Sequence, residues 1–161
     1  MLIKLIKNQN GQALIEALLA LAFAVVIITA VVIAVINALS NTNFTKNQNL
    51  GTQYAQEGLD LARNMKDSDY DGFKALANPS PRYYCITDGD FLYIPPDQPC
   101  IVGNDFSRHI YIFHGSPLCE ANSSFVSSTV SWTDSKCTDG SNCHKIQLDS
   151  CFSDPNKAFG T

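Results

Sequence analysis

Glu16 is the only charged residue between Asn8 and Thr45, and it lies at the start of a long apolar run. A carboxylate in a segment of this kind costs up to a few kcal/mol, so such a residue is rarely retained without a function. The chemistry open to Glu16 is pairing with a positive charge. That charge must come from another part of the chain or from a neighbouring molecule.

Gly11 and Gln12 offer one source of positive charge, which is a new chain terminus. Cleavage between them would create an α-amine at Gln12 that is mostly protonated at neutral pH. This amine would lie one helical turn from Glu16, or beside the Glu16 of a neighbouring subunit. The carboxylate would also lie in the first turn of the shortened helix, where the helix dipole favours negative charge.

The apolar run that follows predicts a membrane-spanning helix. Residues 17–36 contain one polar side chain, Thr29, and so supply the roughly 20 apolar residues that a helix needs to cross the bilayer core. Lys4 and Lys7 precede the run, and no basic cluster directly follows it. This asymmetry predicts a cytoplasmic N-terminus, with everything after Asn37 outside.

Three processing routes are open to such a segment. A secretory signal is cut after its apolar region, and Ala38-Leu39-Ser40 has the small-x-small pattern, but the run exceeds the usual length of about 7 to 15 residues. An uncleaved anchor would keep Met1. Cleavage after Gly11, on the cytoplasmic side, is the route that also accounts for Glu16.

The residues around Gly11 resemble a known processing signal. Gly11 followed by Gln12-Ala13-Leu14-Ile15-Glu16 and an apolar helix is similar to the class III signal of type IV pilins and pseudopilins. The resemblance implies that a prepilin peptidase removes residues 1–11 and methylates the new amine. It also implies that Glu16 neutralises the amine of an adjacent pilin subunit during assembly by inner-membrane machinery.

Two differences from the usual signal indicate a minor pilin or pseudopilin. Gln12 occupies the position where phenylalanine is commoner, and Ile33 stands where many major pilins have a helix-kinking proline. The implied protein is a structural subunit of a type IV pilus, or of a related secretion or DNA-uptake filament. It would cross the inner membrane once, with its C-terminal domain outside, before reaching a filament or the cell surface. The alternative is a monomeric, membrane-anchored extracellular binding domain.

All six cysteines lie in the polar half of the chain, which predicts a disulfide framework in an oxidising compartment. No Cys-x-x-Cys pair supports a zinc site instead. Six cysteines allow fifteen pairings, so the sequence alone does not fix the connectivity. The positions of the predicted hairpins favour the pairs Cys85–Cys100, Cys137–Cys143 and Cys119–Cys151.

Asp67, Asp69 and Asp71 form a candidate metal site. With Gly72 they match the first half of a calcium-binding loop, in which alternate carboxylates point at one cation. Asn78 occupies the position of the bidentate glutamate, so an EF-hand is not expected. A solvated acidic turn without metal explains the same residues.

The sequence lacks the motifs of common enzymes and the charge pattern of nucleic-acid-binding proteins. Ser, His and Asp occur without the Gly-x-Ser-x-Gly, His-Glu-x-x-His or phosphate-loop motifs that frame catalytic sites. The net charge is -4, and no run of Lys and Arg interleaved with aromatic residues occurs. We therefore predict neither enzymatic activity nor nucleic-acid binding, and no cofactor beyond the calcium considered above.

The elements that position these residues follow from composition and spacing. Residues 1–11 are the predicted leader, residues 12–66 a long helix with its membrane segment at about 14–38, and residues 67–161 an exported domain. In the second half of the helix, apolar residues recur at helical spacing and predict a buried stripe. The stripe consists of Leu50, Tyr54, Leu61 and Met65.

Beyond residue 67 the apolar residues alternate with period two, which predicts strands. The predicted strands cover residues 82–86, 91–94, 108–113 and 125–133, with a return through Ile146 and Leu148. The predicted fold class is α+β, a long helix packed on a small antiparallel sheet stapled by disulfides. This architecture also resembles the pilin fold.

Overall fold

A computed structural model describes residues 9–77, 82–87, 89–95, 98–120, 123–134, 136–138 and 142–154, with side chains from residue 13 onward. The predicted leader residues Lys4 and Lys7 and the predicted turn at Asp139-Gly140 lie outside these residues. The elements, in chain order, are α1 (Gln9–Ser68), α2 (Tyr70–Leu76), β1 (Arg82–Thr87), β2 (Asp90–Tyr93), β3 (Ile101–Val102), β4 (Phe106–His114), β5 (Ser124–Trp132) and β6 (His144–Phe152).

Helix α1 contributes to both of the compact units into which the chain divides. The first unit is Met1–Thr45, and the second is Lys46–Thr161. The second unit therefore contains the last part of α1 together with the sheet. The reason is that this part of the helix forms one side of the sheet's core.

The sheet is antiparallel throughout, with the strand order β2-β1-β4-β5-β6 and with β3 paired to β4 beside β1. The α+β class is confirmed, and β1, β2, β4, β5 and β6 correspond to the predicted strands. Strand β3 is two residues long, too short for an alternating pattern. Helix α2 overlaps the acidic motif, whose spacing suggested a loop.

Small residues form the centre of the contact between α1 and the sheet. Gly51, Ala55, Gly58 and Ala62 are buried and recur every three or four residues along one face of the helix. A Cβ atom at Gly58 would lie 2.6 Å from Ser128 Oγ and 2.7 Å from Ile110 Cδ1. The helix backbone therefore rests directly on the side chains of the sheet.

The predicted stripe flanks this line of small residues. Leu50, Tyr54 and Met65 are partly buried and pack against core clusters, and Leu61 is partly buried as well. Among the residues that the structure describes, the core forms two clusters, built mainly from the helix-facing side chains of the sheet. One contains Ala62, Phe73, Ala77, Tyr84, Ile110, Ile112, Val126 and Phe152, and the other contains Ala55, Phe106, Val130 and Trp132.

A buried cation joins α1 to β4 within this core. The side chain of Arg108 is 4% exposed, and its Nη1 donates to the Tyr54 carbonyl at 3.2 Å and lies 3.4 Å from Glu57 Oε2. A buried charge is costly unless it is paired, so these contacts restrict where the helix can lie on the sheet.

Three disulfides staple the second unit, and their pairing confirms the predicted connectivity. Cys85–Cys100 links β1 to the segment before β3, and Cys137–Cys143 closes a short loop between β5 and β6. Cys119–Cys151 spans 32 residues and ties the β4–β5 connection to β6. The staples compensate for the thin core of a small domain.

Gly58→Ala tests the close helix contact. We expect a loss of about 1 to 3 kcal/mol in the free energy of unfolding, because the added methyl group overpacks a filled site. This loss is the net value after the gain of about 1 kcal/mol in helix propensity. Urea unfolding of the full chain in detergent micelles, followed by the fluorescence of Trp132, measures the difference. Gln56→Ala, on the exposed face of α1, is the control, and a Gly58→Ala protein as stable as the wild type would contradict the contact.

Candidate functional site

From Leu14 to Leu39 every face of helix α1 is apolar, and the only polar side chains in this range are those of Glu16, Thr29 and Asn37. The large side chains of this segment are between 50% and 67% exposed. Thr29 donates its hydroxyl proton to the carbonyls of Val25 or Val26, at 3.0 Å and 2.9 Å, so its polar group is satisfied within the helix. Among the described residues, α1 is the one helix long and apolar enough to span a membrane. We call its part from Leu14 to Leu39 the apolar segment.

Glu16 lies at the start of the apolar segment and is exposed. Within the described residues its carboxylate has no hydrogen-bond or ion-pair partner. Gly11 and Gln12 belong to the helical backbone that begins at Gln9, and the side chain of Gln12 lies outside the described part of the chain. Gln12 and Glu16 are four residues apart, so they lie on the same face of α1.

The three carboxylates of the predicted calcium site connect α1 to α2. Asp67 pairs with Lys66 Nζ at 2.7 Å. Asp69 is the N-cap of α2, and its Oδ1 accepts a hydrogen bond from the Gly72 N–H at 2.9 Å. Asp71 is exposed in the first turn of α2, where the helix dipole favours an acid. Each carboxylate thus has a structural explanation without a metal ion, and the calcium site stays a prediction.

A different group has its potential metal-ligating atoms close together, at the loop between β5 and β6. The two sulfurs of Cys137 and Cys143 and one nitrogen of His144 lie within 4.8 Å of one another. The sulfurs are joined in a disulfide, so they are not thiolate ligands. His144 Nε2 lies 2.9 Å from Asp134 Oδ1, and the imidazole stacks on Trp132 at 5.4 Å between ring centroids. These contacts hold the end of β5 and the start of β6 together.

The sheet face opposite α1 contains a groove of about 340 Å³, which we call the outer groove. Alternation along β5 points Val126, Ser128 and Val130 toward the helix, and points Ser127 and Thr129 to the opposite face. Ser127 and Thr129 are short, whereas the strands on both sides carry long side chains at the same level. The groove therefore arises from the long-short-long arrangement of side chains across β4, β5 and β6.

Aromatic rings form one wall of the outer groove. Tyr83 and Tyr111 are register partners on β1 and β4, with ring centroids 5.2 Å apart, and Phe125 lies 6.3 Å from Tyr111. Tyr83 is 39% exposed. Burial, and to a smaller extent the neighbouring Tyr83, raise the pKa of Tyr111 above its ordinary value. The hydroxyl of Tyr111 is therefore protonated at neutral pH and available as a donor.

Lys145 and Gln147 on β6 form the opposite wall. Gln147 Nε2 donates to the Asp149 carboxylate at 3.1 Å and 3.3 Å. No ion pair joins Lys145 to another described residue. His109 also lines the groove, and its Nε2 lies 2.8 Å from the Gln98 carbonyl. No carboxylate is among the described lining residues, so His109 has no acid beside it there.

The outer groove was missed by sequence reasoning, although its strands were predicted. A weak signal is present, because Ser127 and Thr129 alternate with Val126, Ser128 and Val130. The signal does not reveal a groove until the register places long side chains on both sides of β5. No family model, curated protein or solved structure matches the chain.

Asp69→Ala separates the helix cap from the calcium site. We expect the free energy of unfolding to fall by about 0.5 to 2 kcal/mol through loss of the cap, equally in millimolar calcium and in excess chelator. Asp71→Ala, which removes a carboxylate without a cap contact, is the control and has a smaller effect. A melting temperature of the wild-type chain that rises with calcium, and no longer rises in Asp69→Ala, would establish the calcium site instead.

Proposed function

We propose that the chain is a structural subunit of an extracellular filament, a minor pilin or pseudopilin that polymerises through its apolar segment. The filament is a type IV pilus, or a related secretion or DNA-uptake filament. The observation that carries the proposal is an apolar surface around the whole of α1 from Leu14 to Leu39, with one carboxylate, Glu16, at its start.

The apolar segment is suited to two successive environments. A helix that is apolar on all sides is stable in lipid, because its backbone hydrogen bonds are internal and its side chains avoid water. The same surface is also covered when identical helices pack against one another. Assembly therefore exchanges lipid contacts for protein contacts without exposing apolar side chains to water.

Glu16 supplies the polar specificity that this apolar packing lacks. A carboxylate in the interior of a filament is costly unless a positive group neutralises it. The amine created at Gln12 of a neighbouring subunit is the matching charge. Pairing of Glu16 with that amine would fix the position of each subunit along the filament, since any other position leaves both charges unpaired.

The chemistry of the second unit supports this proposal. Three disulfides suit an oxidising compartment outside the cytoplasm. We infer a single pass through the inner membrane with residues 1–11 in the cytoplasm, followed by transfer to a filament or the cell surface. The proposed partners are a prepilin peptidase, the assembly machinery of the inner membrane and other pilin subunits.

The second candidate function is a monomeric binding domain held at the membrane by an uncleaved anchor. The outer groove favours it, because a filament subunit does not need a groove on its sheet. The two functions are compatible if the groove is displayed on the filament. They differ in the N-terminus of the mature chain.

Mass spectrometry of the full-length gene product, isolated from cells that process it, tests the proposal. We expect a mature chain that begins at N-methylated Gln12. A chain that begins at Met1 would contradict the proposal and support the anchored domain, and a chain that begins at Asn41 would contradict both. Gly11→Leu is expected to retain residues 1–11, because a bulky side chain replaces hydrogen at the cleaved bond. Asn8→Leu, three residues away, is the matched control and is expected to be processed normally.

A further inference from the structure

The outer groove has walls of different chemistry, and together they define a ligand. We propose that it binds an acidic disaccharide, with a neutral sugar ring against the aromatic wall and the carboxylate of the second ring at Lys145. This inference goes beyond the proposed function. It concerns the second unit alone, and it does not depend on cleavage at Gly11 or on polymerisation.

The aromatic wall selects a ligand that has an apolar face. Tyr83 is 39% exposed, so part of its ring is open to contact from the groove. Aromatic rings attract the slightly positive hydrogens of C–H groups to their electron-rich faces. The C–H face of a sugar ring meets this requirement, and the tyrosine hydroxyls can reach the polar groups at the ring edge.

The floor and the second wall exclude purely apolar ligands. Ser127 and Thr129 each offer a hydroxyl that both donates and accepts, and Gln147 keeps its carbonyl oxygen while its amide nitrogen is bonded to Asp149. A lipid chain would leave these groups unpaired, at a cost of about 1 to 3 kcal/mol for each buried group. A sugar ring instead offers hydroxyls that pair with them.

The charges along β6 determine which saccharide fits. Lys145 lies at one end of the groove and has no ion-pair partner among the described residues. Asp149 lies four residues further along β6, about 13 Å away in an extended strand, in the same register row as Tyr111 and Ser127. A ligand carboxylate is attracted to the Lys145 end and repelled from the Asp149 end. The net charge of -4 acts against an acidic ligand mainly at long range, where salt screens it beyond about 8 Å.

The size and rigidity of the groove favour a short ligand. Its volume of about 340 Å³ is at the lower end of the range of about 300 to 1,000 Å³ for small-molecule pockets. All its walls stand on paired strands, and Cys119–Cys151 anchors β6 beside Phe125. Little conformational freedom is therefore lost on binding, which favours affinity.

Titration calorimetry with cellobiuronic acid, which joins one glucuronic acid ring to one glucose ring, and with its methyl ester tests the proposal. The two ligands share their rings and hydroxyls and differ in charge. With the full chain in detergent micelles at low salt, we expect the acid to bind about fivefold more tightly than the ester, and the difference to shrink at high salt. Equal binding of acid and ester, or no binding of either, would overturn the proposal.

Two variants assign the binding to the groove. Lys145→Met is expected to remove the preference for the acid and to leave binding of the ester unchanged, while Lys46→Met, at an exposed lysine of α1, retains the preference. Tyr83→Ala is expected to weaken both ligands about tenfold. If Lys145→Met keeps the preference for the acid over the ester, and its disulfides and melting temperature are unchanged, the ligand binds elsewhere and this site is rejected.

Discussion

The structure depends on one constraint, which is that the apolar segment of α1 cannot remain in water. Its large side chains are at least half exposed in the isolated chain. Covering each of them is worth about 1 kcal/mol or more, so together they match the whole stability of an ordinary domain, about 5 to 15 kcal/mol. The segment is long and apolar enough to span a membrane, and lipid, or the neighbouring helices proposed above, would cover it.

The same helix meets a different requirement in the second unit. There it needs only one covered face, and the line from Gly51 to Ala62 lets its backbone rest on the sheet. The buried Arg108 restricts its position, because Tyr54 and Glu57 are its partners from the helix. The first part of the helix thus has large apolar side chains on all faces, and the last part has a line of small residues on one face. The disulfides and the sheet complete the second unit. The sheet face that points away from α1 contains the outer groove.

Much of the fold followed from the sequence, since hydropathy and alternation report burial directly. The long helix, the five longer strands and the disulfide pairs could all be predicted. The centre of the helix contact could not, because the predicted stripe was read from large side chains such as Leu50 and Tyr54, whereas Gly51 and Gly58 have no side chain to report burial. The outer groove depends on which residues of β4, β5 and β6 stand side by side. That register arises from strand pairing, which no local pattern of Ser127 or Thr129 reveals.

The central claim is that copies of the apolar segment pack against one another in the assembled state. A photo-reactive amino acid at Ile27, which is 63% exposed, tests it directly in extracellular material sheared from cells. The account predicts covalent dimers and larger oligomers joined through α1, with far fewer from the same group at Gln56 in the second unit. Adducts to lipid alone, or absence of the chain from the sheared material, would contradict it.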